Sequence, residues 1–516
     1  MARRPNRSTP PARPADAFTL SAQPRPRPQF SVCPSESRAV LLGRALDLLA
    51  DHGVALLHEE AATALRRAGA TPGRDPSQLC LPREMVREAL AATPKSVRLC
   101  GKRPGRDVIL PRADNGFVMR TGTGAHGFVD PVTGAYRNLQ ISDVAAIAAL
   151  ANGLDQVGFV AHPFSYGVHE LTSDIHGVAD LICRTDKHVW LQPYNVENVD
   201  YLIRIVTTAA GGEEALRARP IASTIMCSFS PLEFKVMDVA ALIASGRAGL
   251  AVHACSLPSA GGTAPLSVAG NALMAVAEIL AMVTLAHVLV PGTAVIATPL
   301  MFTLDMATGR ALHACPESLQ AKALAVGVLK QDLGLVCHTY GTGSDTPDVD
   351  AQSMAERAML GQMVALAGAD ILGGVGQLET ATVFSPVQAV LDDALGGYLR
   401  DLIRAPAVDD AALNWDEARG VGIGGHFLAS AHTLEHCRGQ FRSEVFPRQG
   451  RDDYEKSERA GAAEAARDKA LRLIAADPPP GLPDDDTRAE IAAIVAAADA
   501  DIIARSRRVA GMRAVI

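Results

Sequence analysis

The feature that most limits what this chain can fold into is a repeated change of hydrophobic period between Gly116 and Arg404. Eight short apolar runs with turn-forming ends each lead into a segment of helical spacing. The runs are Gly116–Thr121, Val157–Pro163, His188–Pro193, Ile221–Phe229, Leu250–Cys255, Ala294–Thr298, Gly334–Thr339 and Asp370–Gly376. The helical segments are Ile141–Asn152, Leu171–Arg184, Val196–Ala209, Pro231–Ser245, Ser267–Leu289, Pro316–Asp332, Ala351–Ala367 and Pro386–Arg404. Eight successive βα units fit an α/β fold of the closed (β/α)8 TIM barrel type. An open doubly wound sheet is the competing expectation. It would be favoured by a GxGxxG turn after the first strand, but Gly122-Thr-Gly124 lacks the third glycine and no helix follows it directly. Hydrophobic residues make up 48% of the chain and aromatics only 4%, so small aliphatic side chains must fill the core, as suits helices packed over a parallel sheet.

The flanking chain differs in character. Residues 1–36 form a Pro/Arg-rich tail with a single acid, Asp16, in its first thirty residues, and we expect disorder there. Residues 37–115 alternate helices with short strands and read as an N-terminal α+β subdomain, in which Val97–Cys100 and Asp107–Leu110 alternate like paired strands. The barrel is expected over 116–405, with a hairpin at Asp130–Arg137 between its first strand and helix. Residues 406–516 form a helical C-terminal extension, expected to cap the barrel bottom or to pack against a neighbouring subunit in a homo-oligomer.

Charge and cysteine usage narrow the function classes. A net charge of −7 gives no reason to expect nucleic acid. The nine cysteines are scattered, without a CxxC pair, which suggests reduced thiols in the cytoplasm. No membrane span is expected, because the best candidate, Asn271–Val290, contains Glu278 and His287 and reads as a buried helix.

In a barrel, the working residues lie at the C-terminal ends of the strands. Here those ends carry His126, His162, Ser165, Tyr166, Gln192, Tyr194, Ser228, His253, Ser256, Thr263, Thr298, Phe302, His338, Tyr340, Ser344, Asp345, Gln377 and Glu379. The ring contains several aromatics and few charges, and no HExxH, GxSxG or P-loop accompanies it. Aromatic faces attract quaternary ammonium, and a carboxylate can balance its charge. We therefore single out His338 and Glu379 as candidate catalytic groups. Tyr166, Gln192, Tyr194, Phe302, Tyr340, Asp345 and Gln377 are candidate substrate-binding groups, with Trp190 a further member of an aromatic box. No metal ligand set is assigned. The alternative with metal uses His253, Cys255 and Cys337 as zinc ligands drawn from two strands.

Several motifs in order resemble the trimethylamine methyltransferase family. They are Gly261-Gly-Thr-Ala-Pro265, Asp305-Met-Ala-Thr-Gly309, Gly343-Ser-Asp345 with Asp350 and Gln352, Gly368-Ala-Asp370, Gln377-Leu-Glu379 and Val390-Leu-Asp392. Thr185-Asp-Lys187 and Leu56–Gly69 add to them, so that the resemblance covers residues 37–510. It implies a barrel that passes a methyl group from a methylated amine to the cobalt of a separate corrinoid protein, with cob(I)alamin as the acceptor and no cofactor bound permanently. The chain contains only the twenty standard residues, so it looks like the pyrrolysine-free branch that includes glycine betaine methyltransferase. The resemblance thus implies a quaternary amine as substrate. Two other readings remain: a zinc-thiolate barrel methyltransferase, and a non-catalytic protein that binds a methylated amine.

Overall fold

A computed structural model describes residues 27–457 and 461–513. The first 26 residues of the Pro/Arg-rich tail lie outside the described residues. Eight strands close into a parallel barrel: β1 Val118–Thr121, β2 Val157–Ala161, β3 His188–Leu191, β4 Ala222–Cys227, β5 Ala251–Ser256, β6 Val295–Pro299, β7 Val336–Tyr340 and β8 Ile371–Val375. Each pairs with its neighbours in sequence, and β8 closes on β1. The open-sheet alternative is thereby excluded. Five strands fall inside the expected runs and β5, β6 and β7 each extend one residue beyond theirs, to Ser256, Pro299 and Tyr340, because strands covered on both faces need unbroken apolar stretches.

Eight helices surround the strands: α1 Asp143–Asn152, α2 Ser173–Arg184, α3 Asn198–Ala210, α4 Val236–Arg247, α5 Val268–Leu289, α6 Pro316–Val326, α7 Ala351–Ala367 and α8 Pro386–Leu402. The expected helix to Asp332 changes character at Gly327, where a π-helical turn carries the chain to Asp332. Helix α5 is long and apolar enough to span a membrane, but 72% of its apolar window is buried inside the protein, so it is a core helix.

The N-terminal subdomain wraps the α5 flank from end to end. Its strand Val54–Leu56 pairs with Glu233–Phe234 above β4, and its helices Ser35–Asp51 and Arg83–Ala92 pack on α5. Its hairpin Val97–Leu99/Val108–Leu110 reaches the N-terminal end of the barrel, where Cys100 N donates to Pro220 O and Lys102 N to Asp186 O. The hairpin covers that end, and the strands' C-terminal ends form the other face, the mouth, where the working residues of this fold lie.

The late helices do not cap the bottom. Ala462–Ile474 packs on α8 and α1, and Asp485–Arg513 on α2 and α3. Thr172 and His176 fix the latter through Asp499, at 2.6 and 2.9 Å. They clad the barrel's flank over units eight, one, two and three.

Candidate active site at the barrel mouth

A barrel interior fills in layers drawn from alternate strands. The middle layer here comes from the odd strands: Arg120 on β1, Trp190 on β3, His253 on β5 and His338 on β7. The rings of Trp190, His253 and His338 lie 4.9–5.4 Å apart, and the Arg120 guanidinium sits 4.0 Å over the indole. A Cβ on Gly373 of β8 would come within 2.8 Å of both Arg120 and His338, so only glycine fits beside them. All four layer residues are buried.

One hydrogen-bond chain runs down from this layer. Arg120 Nε donates to His338 Nε2 at 3.2 Å, and His338 Nδ1 meets His253 Nδ1 at 3.3 Å. His253 Nε2 lies 3.1 Å from Ser223 Oγ, which lies 2.9 Å from His188 Nε2, and His188 Nδ1 reaches Cys100 O at 3.0 Å. The two ends fix every proton between them, since guanidinium only donates and a carbonyl only accepts. His338 therefore carries its proton on Nδ1, His253 on Nε2 and His188 on Nδ1. Burial holds all three rings neutral: His188 is pushed down to about 4, and His253 and His338 lie well below the ordinary value. Arg120, lowered to about 10 by burial, has no carboxylate partner, and its Nη2 has no hydrogen bond among the described residues.

Above this layer, two aromatic clusters occupy opposite sides of the mouth. On the β2/β3 side, Phe164 stacks on Tyr194 at 5.6 Å, with His162 at 5.6 Å from Tyr194 and Tyr166 at 5.7 Å from Phe164. On the β6/β7 side, His313 lies 4.9 Å from Tyr340 and 6.3 Å from Phe302. In an eight-stranded ring those two pairs of strands are diametrically opposed. The expected single box is thus two facing walls, with Trp190 beneath them. Polar groups fill the remaining sides. Thr123 Oγ1 donates to Gln192 Oε1 at 2.8 Å, and Gln377 Nε2 donates to Thr123 O at 2.6 Å. Gly122 leaves the room that Gln377 takes, as a Cβ there would collide with its side chain.

His162 illustrates the electrostatics of these walls. Its Nε2 accepts from Gln192 N and its Nδ1 faces Pro163 O, both at 3.3 Å, and burial lowers its pKa to about 4. A ring whose folded pKa is depressed gains its proton first in the unfolded chain. His162 and His188 therefore each cost stability as pH falls from 6.5 towards 4, up to about 3 kcal/mol apiece. Asp174, raised to about 6 by burial, has the opposite sign and adds stability over the same fall. Imidazole 15N shifts isolate the histidines from that offset. At pH 5.5 both rings are expected to be neutral with the proton on Nδ1, and a protonated ring would contradict the assignment.

The carboxylates near the mouth are engaged elsewhere. Asp345 accepts from His313 N, Ala314 N and Thr380 Oγ1 at 2.9–3.0 Å, tying the loops after β6, β7 and β8 together. Glu379 lies on the outer lip, 3.5 Å from Arg310. Its backbone and those of Thr380 and Ala381 hold φ of 48°, 51° and 75°, three consecutive strained residues pinned by Thr346 O and Ser344 O. Glu278 of α5 is buried and accepts from Ser228, Ser230 and Ser256 hydroxyls and from Leu232 N at 2.5–3.0 Å, which sets the β4 and β5 loop ends.

His253, Cys255 and Cys337, the zinc alternative, are not brought together. His253 and Cys255 face the lumen, whereas Cys337 alternates with His338 and faces outward beside Asp370 and Lys330. The neighbour of Cys255 is Cys227, its register partner on β4. No group of three or more potential metal ligands occurs among the described residues. Of the candidate residues, Tyr194, Tyr166, Phe302, Tyr340, Gln192 and Gln377 gather around the mouth. His338 lies one layer deeper, Asp345 binds loops, and Glu379 sits on the lip. Arg120, Phe164, Cys227 and His313 were not foreseen. For Arg120 the signal was available: a charged residue inside the apolar run of the first strand.

A family model for trimethylamine methyltransferase (MTTB) matches residues 2–502. The trimethylamine methyltransferase of Desulfitobacterium hafniense is 27% identical over 85% of this chain and 88% of its own, and one from Methanosarcina acetivorans is 30% identical over 83% and 87%. The glycine betaine methyltransferase of Desulfitobacterium hafniense is 26% identical over 91% and 97%. The crystal structure of the monomethylamine methyltransferase of Methanosarcina barkeri shares the fold, with a TM-score of 0.53 at 10% identity over 86% of this chain and 88% of that one.

Proposed function

The chain belongs to the trimethylamine methyltransferase family, and on that premise we propose that this methyltransferase moves a methyl group from a quaternary amine to the cobalt of a corrinoid carried by a separate partner protein. The observation that carries the reading is the pair of opposed aromatic walls at a mouth whose carboxylates are all engaged. Ring faces attract a trimethylammonium group without needing an N–H to bond, and the attraction grows when water is excluded.

Exposed apolar side chains line part of the rim of the mouth: Tyr166, Phe229, Leu266 and Met306, on the loops after β2, β4, β5 and β6. That part of the rim fits a partner presenting a broad, flat cofactor edge. The corrinoid supplies a strongly nucleophilic cobalt, and the rest is positioning by this chain. The walls hold the ammonium so that one N–CH3 bond points out of the mouth. The opposite end of the amine then points inward, towards Arg120, whose buried Nη2 has no hydrogen bond among the described residues. This favours an amine whose inner end carries a carboxylate, the class of compound named for the glycine betaine methyltransferase relative. The leaving amine departs neutral, which matches walls whose histidines hold no acidic proton. We place the protein in the cytoplasm, where its nine free thiols stay reduced.

Calorimetric titration tests the reading. A trimethylammonium compound is expected to bind at least ~10-fold tighter than its neutral tert-butyl isostere, about 1.4 kcal/mol. A carboxylate-terminated amine is expected to bind tighter than the same amine ending in a hydroxyl. Equal affinity for the cation and its isostere would remove the basis of the proposal.

A further inference from the structure

Cys227 and Cys255 stand side by side where β4 and β5 reach the mouth, on the arc between the two aromatic walls. They are register partners on adjacent parallel strands. No other two cysteines among the described residues are paired in this way. Parity sends both side chains into the lumen. Cys255 lies two residues beyond His253 and Cys227 four beyond Ser223, and those two side chains meet inside the barrel at 3.1 Å. Neighbouring strands run about 4.8 Å apart, within the ~4.4–6.8 Å that a disulfide requires between its Cα atoms.

The strand ends are held in this register. Cys227 N donates to Asp238 Oδ1 at 3.0 Å, and Cys255 O accepts from Ser228 N at 3.0 Å. The thiols also act on each other. A hydrogen bond to Cys255 is the first cause, ahead of burial, that pushes the Cys227 thiol well above its ordinary value. Cys255 is fully buried, whereas Cys227 is partly exposed, so a small solute reaches the pair through Cys227.

We propose that Cys227 and Cys255 are a modification site, at which a hydroperoxide converts the two thiols into a reversible disulfide. The Cys227 sulfur, as thiolate, attacks the O–O bond of hydrogen peroxide, becomes a sulfenic acid and releases one water. The Cys255 sulfur then displaces the sulfenic hydroxyl as a second water, and the S–S bond forms. Two thiols give up two electrons and two protons, and the peroxide takes up both. The bond draws the sulfurs together to ~2.05 Å beside Tyr340. The phenol of Tyr340 is pushed up to about 12, by burial first and in smaller part by these two thiols. Oxidation therefore reshapes the mouth next to the β6/β7 wall. Because the thiolate of Cys227 is scarce, the reaction is slow at neutral pH and quickens as pH rises.

Peroxide treatment of the folded full chain, followed by alkylation in denaturant and peptide mass mapping, tests this. A Cys227–Cys255 cross-link is expected, lighter than the two thiol peptides by two hydrogens and removed by dithiothreitol. Its rate of formation is expected to rise ~10-fold from pH 7 to pH 8, as the thiolate fraction does. Cys255→Ala is expected to leave Cys227 as a sulfenic acid that dimedone traps. Cys227→Ala is expected to leave Cys255 unmodified at the same dose. Recovery of both residues as free thiols, at a dose that oxidises the exposed Cys437, would overturn the proposal. So would a cross-link that joins Cys227 to any other cysteine.

Discussion

Asp392→Ala is expected to lower the stability of the protein by about 3–5 kcal/mol, the cost of leaving a buried cation unpaired. Asp392 and Arg357 are both fully buried and meet through two contacts of 2.8 and 3.0 Å. The same carboxylate accepts from Gly376 N at 2.7 Å and Gln388 Nε2 at 3.0 Å, so it also fixes the chain where β8 ends. Arg357 in turn donates to the backbone carbonyl of Gln377, which couples the pair to the chain at the mouth. Replacing both members by apolar residues, Arg357→Met with Asp392→Leu, should recover much of the loss, because no stranded charge is left. Urea unfolding of the three variants measures this. A loss below about 1 kcal/mol for Asp392→Ala would mean that water reaches the pair.

The second large effect is on turnover. Tyr194→Leu and Tyr340→Leu each remove one ring from one wall while keeping apolar volume. A desolvated cation–π contact is worth about 2 kcal/mol, so each variant is expected to lose about 30-fold in kcat/KM for a quaternary amine. The residues stand on opposite sides of the mouth and share no contact, so the losses should add to about 1,000-fold in the double variant. Tyr340 is 4% exposed and packs in the core, so Tyr340→Leu is also expected to cost about 0.5–3 kcal/mol of stability, and kcat/KM is read well below the melting temperature of each variant. A loss under ~3-fold in the double variant would show that the walls do not hold the cation.

The barrel was legible because its strands are buried on both faces and its helices on one, which writes two different periods into the sequence. Even the Glu278 in the most apolar helix marked α5 as a core element, and the serines it binds explain its presence. The walls were legible as residue types but not as an arrangement. Tyr194 and Tyr340 fall on opposite sides only once β8 has closed on β1. The roles of Asp345 and Glu379 were not legible, because a carboxylate at a strand end reads alike whether it faces a ligand or a loop amide. His313 was hidden for a similar reason: it enters the mouth from the long loop after β6, not from a strand. The zinc alternative failed on a parity that sequence does carry. Cys337 precedes the inward His338 by one residue and must face away.

We propose that this mouth presents a quaternary N–CH3 bond to cobalt. The most direct test is the absorbance change as cob(I)alamin becomes methylcobalamin, followed with the purified protein and a panel of quaternary, tertiary and secondary methylamines. Methylcobalamin is expected with at least one quaternary amine, at a rate that falls about 1,000-fold in the Tyr194→Leu/Tyr340→Leu variant. Tight binding of those amines with no methylcobalamin formed, with either free cob(I)alamin or a reduced corrinoid protein, would contradict it.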